Sequence, residues 1–175
     1  MYEATAVGLQ PIASKGKILI LGRGEGLGHA LRSRYFQVTQ IDDAENAALT
    51  LVGMGAMIPE VLEAAERLGS LGFGCDVVCV TSPGELFRAV QARRGIDEHP
   101  SAILDAVFPA ERAHPMVTVL DGHPHTLAFL AGINRVPATQ LGVTRFGQSG
   151  DLEDVYRLHG IDTLSIIGAA LDLVD

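Results

Sequence analysis

The segment VTVLDGHPHTLAFLAGI, residues 117–133, with VPATQLGV and FGQSGDLEDVYRLHGID after it, constrains the fold more than any other part of the chain. A branched apolar run opens into a loop with two histidines. A helical pattern, a second strand, a glycine-bounded turn and a further helix follow. This alternation is that of an α/β fold, and it puts polar side chains at the carboxyl ends of parallel strands, where open sheets gather ligands and partners.

Composition agrees. The chain has 175 residues, enough for one domain with a real core. It is 47% hydrophobic but only 5% aromatic, with no Trp and 20 Gly, so its core is built of Val, Ile, Leu and Ala, as a helix-covered parallel sheet requires. A net charge of -8 argues against nucleic acid and anionic membrane surfaces as partners. No apolar run reaches the ~20 residues of a membrane span, and the N-terminus MYEATAVGLQ does not read as a secretion signal, so a cytoplasmic protein is expected. Cys75 and Cys79 lie four apart in CDVVCV, on one face of a strand. About 13 Å of extended chain separates them, too far for a disulfide, so both are expected as buried free thiols. With no second ligand pair, they do not form a zinc site.

Strands are expected at KILILG (residues 17–22), YFQVTQID (35–42, a half-buried or edge strand), AALTLVGMG (47–55), CDVVCVTS (75–82), MVTVLDG and ATQLGV. MIPEVLEAAERLGSLG carries an apolar stripe of Ile58, Val61, Leu62, Ala65 and Leu68, ended by Gly69 or Gly72. In SPGELFRAVQARR, Ser82 is the expected N-cap, Pro83 the first helical residue and Glu85 the partner in a capping box. Residues 95–115, with three prolines, read as a mobile connection over the sheet edge holding one short helix, SAILDAVF. HTLAFLAGI is expected as a helix, as is SGDLEDVYRLHG, with Asp151 near its start and Gly160 as a left-handed stop. Asp162 is expected to cap the last helix.

Three stretches carry candidate chemistry. KILILGRGEGLG looks like a dinucleotide fingerprint, with Asp42 placed for a ribose, but its glycines at 22, 24, 26 and 28 are out of register. DGHPH joins Asp121, His123 and His125 in a proline-stiffened loop that could hold a metal or move a proton. Structural or interface use is the better reading, because no nucleophile or further ligand accompanies it, and Asp121 could simply cap the next helix. FGQSG lacks the G-x-S-x-G order of a nucleophile elbow. Its glycines suit a sharp turn, with Ser149 or Asp151 meeting the free amides of the next helix. His29, His99, His114 and His159 have no patterned partners and read as surface or packing residues.

The series ALTLVGMGAMIPEVLEAAERL, CDVVCVTSPGELFRA, VTVLDGHPHTLAFLAGINRVP and LGVTRFGQSGDLEDVYRLHGID resembles the C-terminal domain of transketolase-like thiamine diphosphate enzymes. Within that group it is most similar to the single-chain pyruvate dehydrogenase (decarboxylating) component. The resemblance covers residues 34–174 and implies a three-layer α/β/α sandwich with a mixed, mostly parallel five-stranded sheet, YFQVTQID being the antiparallel strand. It divides the chain into residues 1–33, an arm or linker that holds an extra strand, and a domain over residues 34–175.

The implied parent reaction is oxidative decarboxylation of a 2-oxo acid with acyl transfer to lipoamide. In such enzymes thiamine diphosphate and Mg2+ are bound by preceding domains, and neither GDG with a following Asn-Asn nor an assignable activating glutamate is found here. The chain is therefore expected to be inactive alone, either a piece of a longer polypeptide or a stand-alone relic. It would contribute dimerisation and the active-site rim through Asp121, His123, His125, Gln148 and Ser149, with no catalytic, cofactor-binding or metal-binding residue. Expected partners are a second copy, the thiamine-binding domains and the dihydrolipoamide acyltransferase core. A transketolase parent, a small nucleotide-binding module using the Gly22–Gly28 turn and Asp42, and a complex-docking module are the alternatives.

Overall fold

The branched apolar runs pair into one sheet in the computed structural model of the protein, which describes residues 17–22, 34–39 and 47–175. The strands are β1 (Lys17–Gly22), β2 (Arg34–Thr39), β3 (Ala47–Met54), β4 (Gly74–Val80), β5 (Met116–Leu120) and β6 (Ala138–Leu141), in the order β2-β1-β4-β3-β5-β6. All neighbouring pairs are parallel except β1 with β2. The YFQVTQID run thus supplies the antiparallel edge, as expected, and KILILG adds a sixth strand to the five of the expected sheet.

Strand alternation sorts the core onto two faces. Leu49, Leu51, Cys75, Val77, Val117 and Val119 point to one face. There α1 (Ile58–Ser70) lays down Val61, Ala64, Ala65 and Leu68, beside Ile166 and Ala170 of α6 (Thr163–Leu171) and Tyr156 of α5 (Leu152–His159). Val52, Val78, Val80, Met116 and Leu120 point to the other face, covered by α2 (Pro83–Arg93) and α3 (Ala102–Val107) and by Leu127 and Leu130. Helices on both faces of a mostly parallel sheet make the α/β/α sandwich.

The 95–115 connection packs more firmly than expected. Leu104, Val107 and Phe108 are buried in the second core, and Arg88 holds Asp97 while Glu85 holds His99 Nε2 at 3.2 Å. The latter pair explains a corrected expectation: Ser82 and Pro83 take the N-cap and first helical positions, but the Ser82 side chain caps nothing and Glu85 is turned toward His99. HTLAFLAGI is also not one helix. It forms two 3-10 turns, at Pro124–Thr126 and Ala128–Leu130, before the single turn α4 (Ala131–Asn134), which Arg135 ends in the left-handed region at φ 57. Leu127 and Leu130 are fully buried, so the short turns serve to place two anchors on the sheet.

Candidate functional site at the carboxyl edge

β3 and β5 are neighbours, yet the connection leaving β3 runs over the first face as α1, and the one leaving β5 runs over the second through Leu127 and Leu130. This divergence is a topological switch point, the place where doubly wound sheets open a crevice beyond their strand ends. Asp121, Gly122 and His123 leave β5 there.

Backbone contacts brace the loop. The Val143 amide donates to the Gly122 carbonyl at 2.8 Å, Thr126 N–H to His123 O at 3.1 Å, and Leu127 N–H to Pro124 O at 3.3 Å. Gly142 lies so close that a Cβ on it would stand 2.5 Å from Gly122 O and 2.9 Å from Pro124 Cδ, so the loop after β6 and the loop after β5 fit only because residue 142 has no side chain. On this base Asp121, His123 and His125 all face solvent. Their rings meet: His125 Nδ1 is 2.7 Å from His123 Nδ1, with ring planes at 78°. His123, not Asp121, occupies the N-cap position of the 3-10 turn.

The Asp121 carboxylate acts electrostatically on Tyr156, a residue that escaped the sequence reading. Burial, with the Asp121 and Glu60 carboxylates adding to it, pushes the Tyr156 hydroxyl above its ordinary titration range. Its only sequence signal was a polar-tipped aromatic on the inner side of LEDVYRLH, flanked by the half-buried Val155 and His159.

Gln148 and Ser149 lie in residues 144–150, all exposed, and neither side chain makes a hydrogen bond among the described residues. No hydrogen bond joins them to Asp121, His123 or His125 among these residues. The amide cap expected from Ser149 or Asp151 is not formed: Asp151 holds the N-cap position of α5 without a side-chain bond. Gly160 ends that helix at φ 64, as expected. Phe146, in the same segment, is wholly exposed at 103%. Sequence reasoning passed over it because a lone Phe beside a glycine turn gives no periodic signal.

Two of the other histidines, His99 and His114, have neighbours that act on them. Besides His99 with Glu85, His114 lies near Asp76 and Arg112, which pair at 2.6 Å. Burial holds its imidazole below the usual range, Asp76 opposing this and Arg112 adding to it. Cys75 and Cys79 are buried free thiols, pushed by burial to about 12 and about 11, Asp76 contributing for Cys75. The Gly24, Gly26 and Gly28 turn, Asp42 and His29 lie outside the described residues. No helix among the described residues is long and apolar enough to cross a membrane.

The transketolase-like TK C-terminal domain family matches residues 36–162. This chain belongs to that family. No curated protein sequence matches it. Among solved structures it is similar to Pichia stipitis transketolase in complex with sedoheptulose 7-phosphate, at 15% identity and TM-score 0.55, covering 90% of this chain and 25% of that one. Campylobacter jejuni subsp. jejuni transketolase follows at 16% identity and TM-score 0.51, covering 86% and 25%. A split-gene transketolase described as an inactive β4 tetramer is 18% identical with TM-score 0.53, covering 74% and 40%. The domain therefore spans a quarter to two fifths of the chains it matches, and the likeness is one of fold.

Proposed function

We propose that this domain is the C-terminal part of a thiamine diphosphate-dependent pyruvate (2-oxo acid) dehydrogenase component, where it builds the dimer and the rim of the active-site entrance rather than performing chemistry. The observation that carries the proposal is the carboxyl edge itself. Asp121, His123, His125 and residues 144–150 face solvent at the switch point on a braced framework, with Phe146 fully exposed. An exposed aromatic beside adaptable polar groups suits a surface that a neighbouring domain or subunit covers.

Among the described residues no group of three or more His, Cys, Asp and Glu side chains is placed to hold a metal ion. The proposal assigns cofactor and metal to the preceding thiamine-binding domains. What remains for Asp121, His123, His125, Gln148 and Ser149 is to shape the entrance and exclude water when those domains close over them. Docking to the dihydrolipoamide acyltransferase core would use the outer surface of the same assembly.

The order of VTSPGELFRA, DGHPH and FGQSG supports the 2-oxo acid branch. Similarity to the solved transketolases supports a second reading, a transketolase parent. Fusing the chain to the thiamine-binding domains of its parent separates the two. Pyruvate-dependent acyl transfer to lipoamide would support the dehydrogenase reading, two-carbon transfer between sugar phosphates would support a transketolase, and neither activity would overturn both.

A further inference from the structure

The structure assigns a second property to the DGHPH turn: we infer that His123 and His125 form a chelating pair for a divalent transition-metal ion of nitrogen preference, distinct from the magnesium of the parent enzyme. Two imidazole nitrogens bound at right angles to one ion at about 2.0–2.1 Å each stand about 2.9 Å apart. The two Nδ1 atoms are 2.7 Å apart, and turning the two rings until their lone pairs converge on one point instead of on each other brings both to that spacing. His123 Nδ1 also faces the His125 amide at 3.5 Å, and an ion held by both rings would take the place of any hydrogen that the two Nδ1 atoms share.

The pair is held ready. Pro124 stiffens the link between the two residues, the Gly122 carbonyl is tied to Val143, and Leu127 anchors the turn in the core. Neither ring has another side-chain partner among the described residues, and both are open to solvent. The chain's net charge of -8 and the exposed Asp121 on the same loop favour a cation. No third His, Cys, Asp or Glu completes a cluster among the described residues, so water fills the remaining positions. Two imidazoles and water suit Cu2+, Ni2+ or Zn2+, not Mg2+.

The test uses the whole chain and Cu2+ alone, followed by calorimetry and by electron paramagnetic resonance. One bound equivalent with hyperfine structure from two imidazole nitrogens is expected. His123→Ala and His125→Ala should each leave a single nitrogen and weaken binding roughly a hundredfold, since removing one donor forfeits the effective concentration of the other. His99→Ala should bind as the parent does, and the circular dichroism of each variant checks that it is folded. Equal copper affinity in parent and His123→Ala, or loss of binding only in His99→Ala, would overturn the inference. Because the readout is metal binding, its failure leaves the proposed parent reaction untouched.

Discussion

Glu60, in the first turn of α1, accepts the amide hydrogen of Thr163 at 2.9 Å and its hydroxyl at 2.5 Å, across 103 residues of chain. α6 is therefore capped from another helix, while Asp162, in the N-cap position, is engaged by the Ser165 hydroxyl. A carboxylate at a helix N-terminus satisfies free amides and interacts favourably with the positive end of the helix dipole. Glu60→Ala should lower stability by about 1–2 kcal/mol in urea unfolding, and Glu60→Gln, which keeps an acceptor without the charge, by less. Unchanged midpoints for both would show that α6 is held by its apolar face alone.

Gly142 should not tolerate a side chain. A Cβ there would strike the backbone oxygen of Gly122, which cannot swing away as a side-chain tip can. Gly142→Ala should cost about 1–3 kcal/mol and shift the amide resonances of Gly122 and Val143. An unperturbed spectrum would contradict the close packing of the two loops.

Cys75 and Cys79 should resist alkylation at pH 8 in the folded protein and both react in denaturant, since burial holds the thiols at about 12 and about 11. The sign for stability follows. Above pH 9 the unfolded chain loses thiol protons that the folded chain keeps, so stability falls as pH rises from about 9 towards 11–12. Replacing both cysteines by Ala should flatten that part of the unfolding profile.

Much of the sheet was legible because β3, β4 and β5 are runs of branched apolar residues bounded by glycine, proline or a charge. The mixed alternation of YFQVTQID allowed a half-buried or an edge strand, and it is the antiparallel edge strand β2. Capping was less legible. Ser82 and Glu85 have capping-box spacing, but His99, fourteen residues beyond Glu85, takes the carboxylate. Glu60 caps a helix that no local pattern connects to it. HTLAFLAGI has apolar residues enough for a helix, yet Pro124 and the need to seat both Leu127 and Leu130 break it into short turns. At the site, the strand-end position of Asp121, His123 and His125 could be read, but Tyr156 and Phe146 could not. Their roles depend on which long-range neighbour is present or missing.

Thr118 is 1% exposed, and its hydroxyl has no hydrogen-bond partner among the described residues. A buried, unpaired hydroxyl costs about 1–3 kcal/mol relative to an apolar group of the same shape. Thr118→Val should therefore leave the fold intact and raise the thermal midpoint. A lower midpoint would mean the hydroxyl is satisfied by bound water.

The most direct test of the central claim is pyruvate decarboxylation by the purified chain supplied with thiamine diphosphate and Mg2+, compared with the same chain joined to thiamine-binding domains. The account predicts no turnover from the chain alone. In the joined enzyme it predicts activity that His123→Ala reduces without abolishing. Cofactor-dependent turnover by the isolated chain would contradict it.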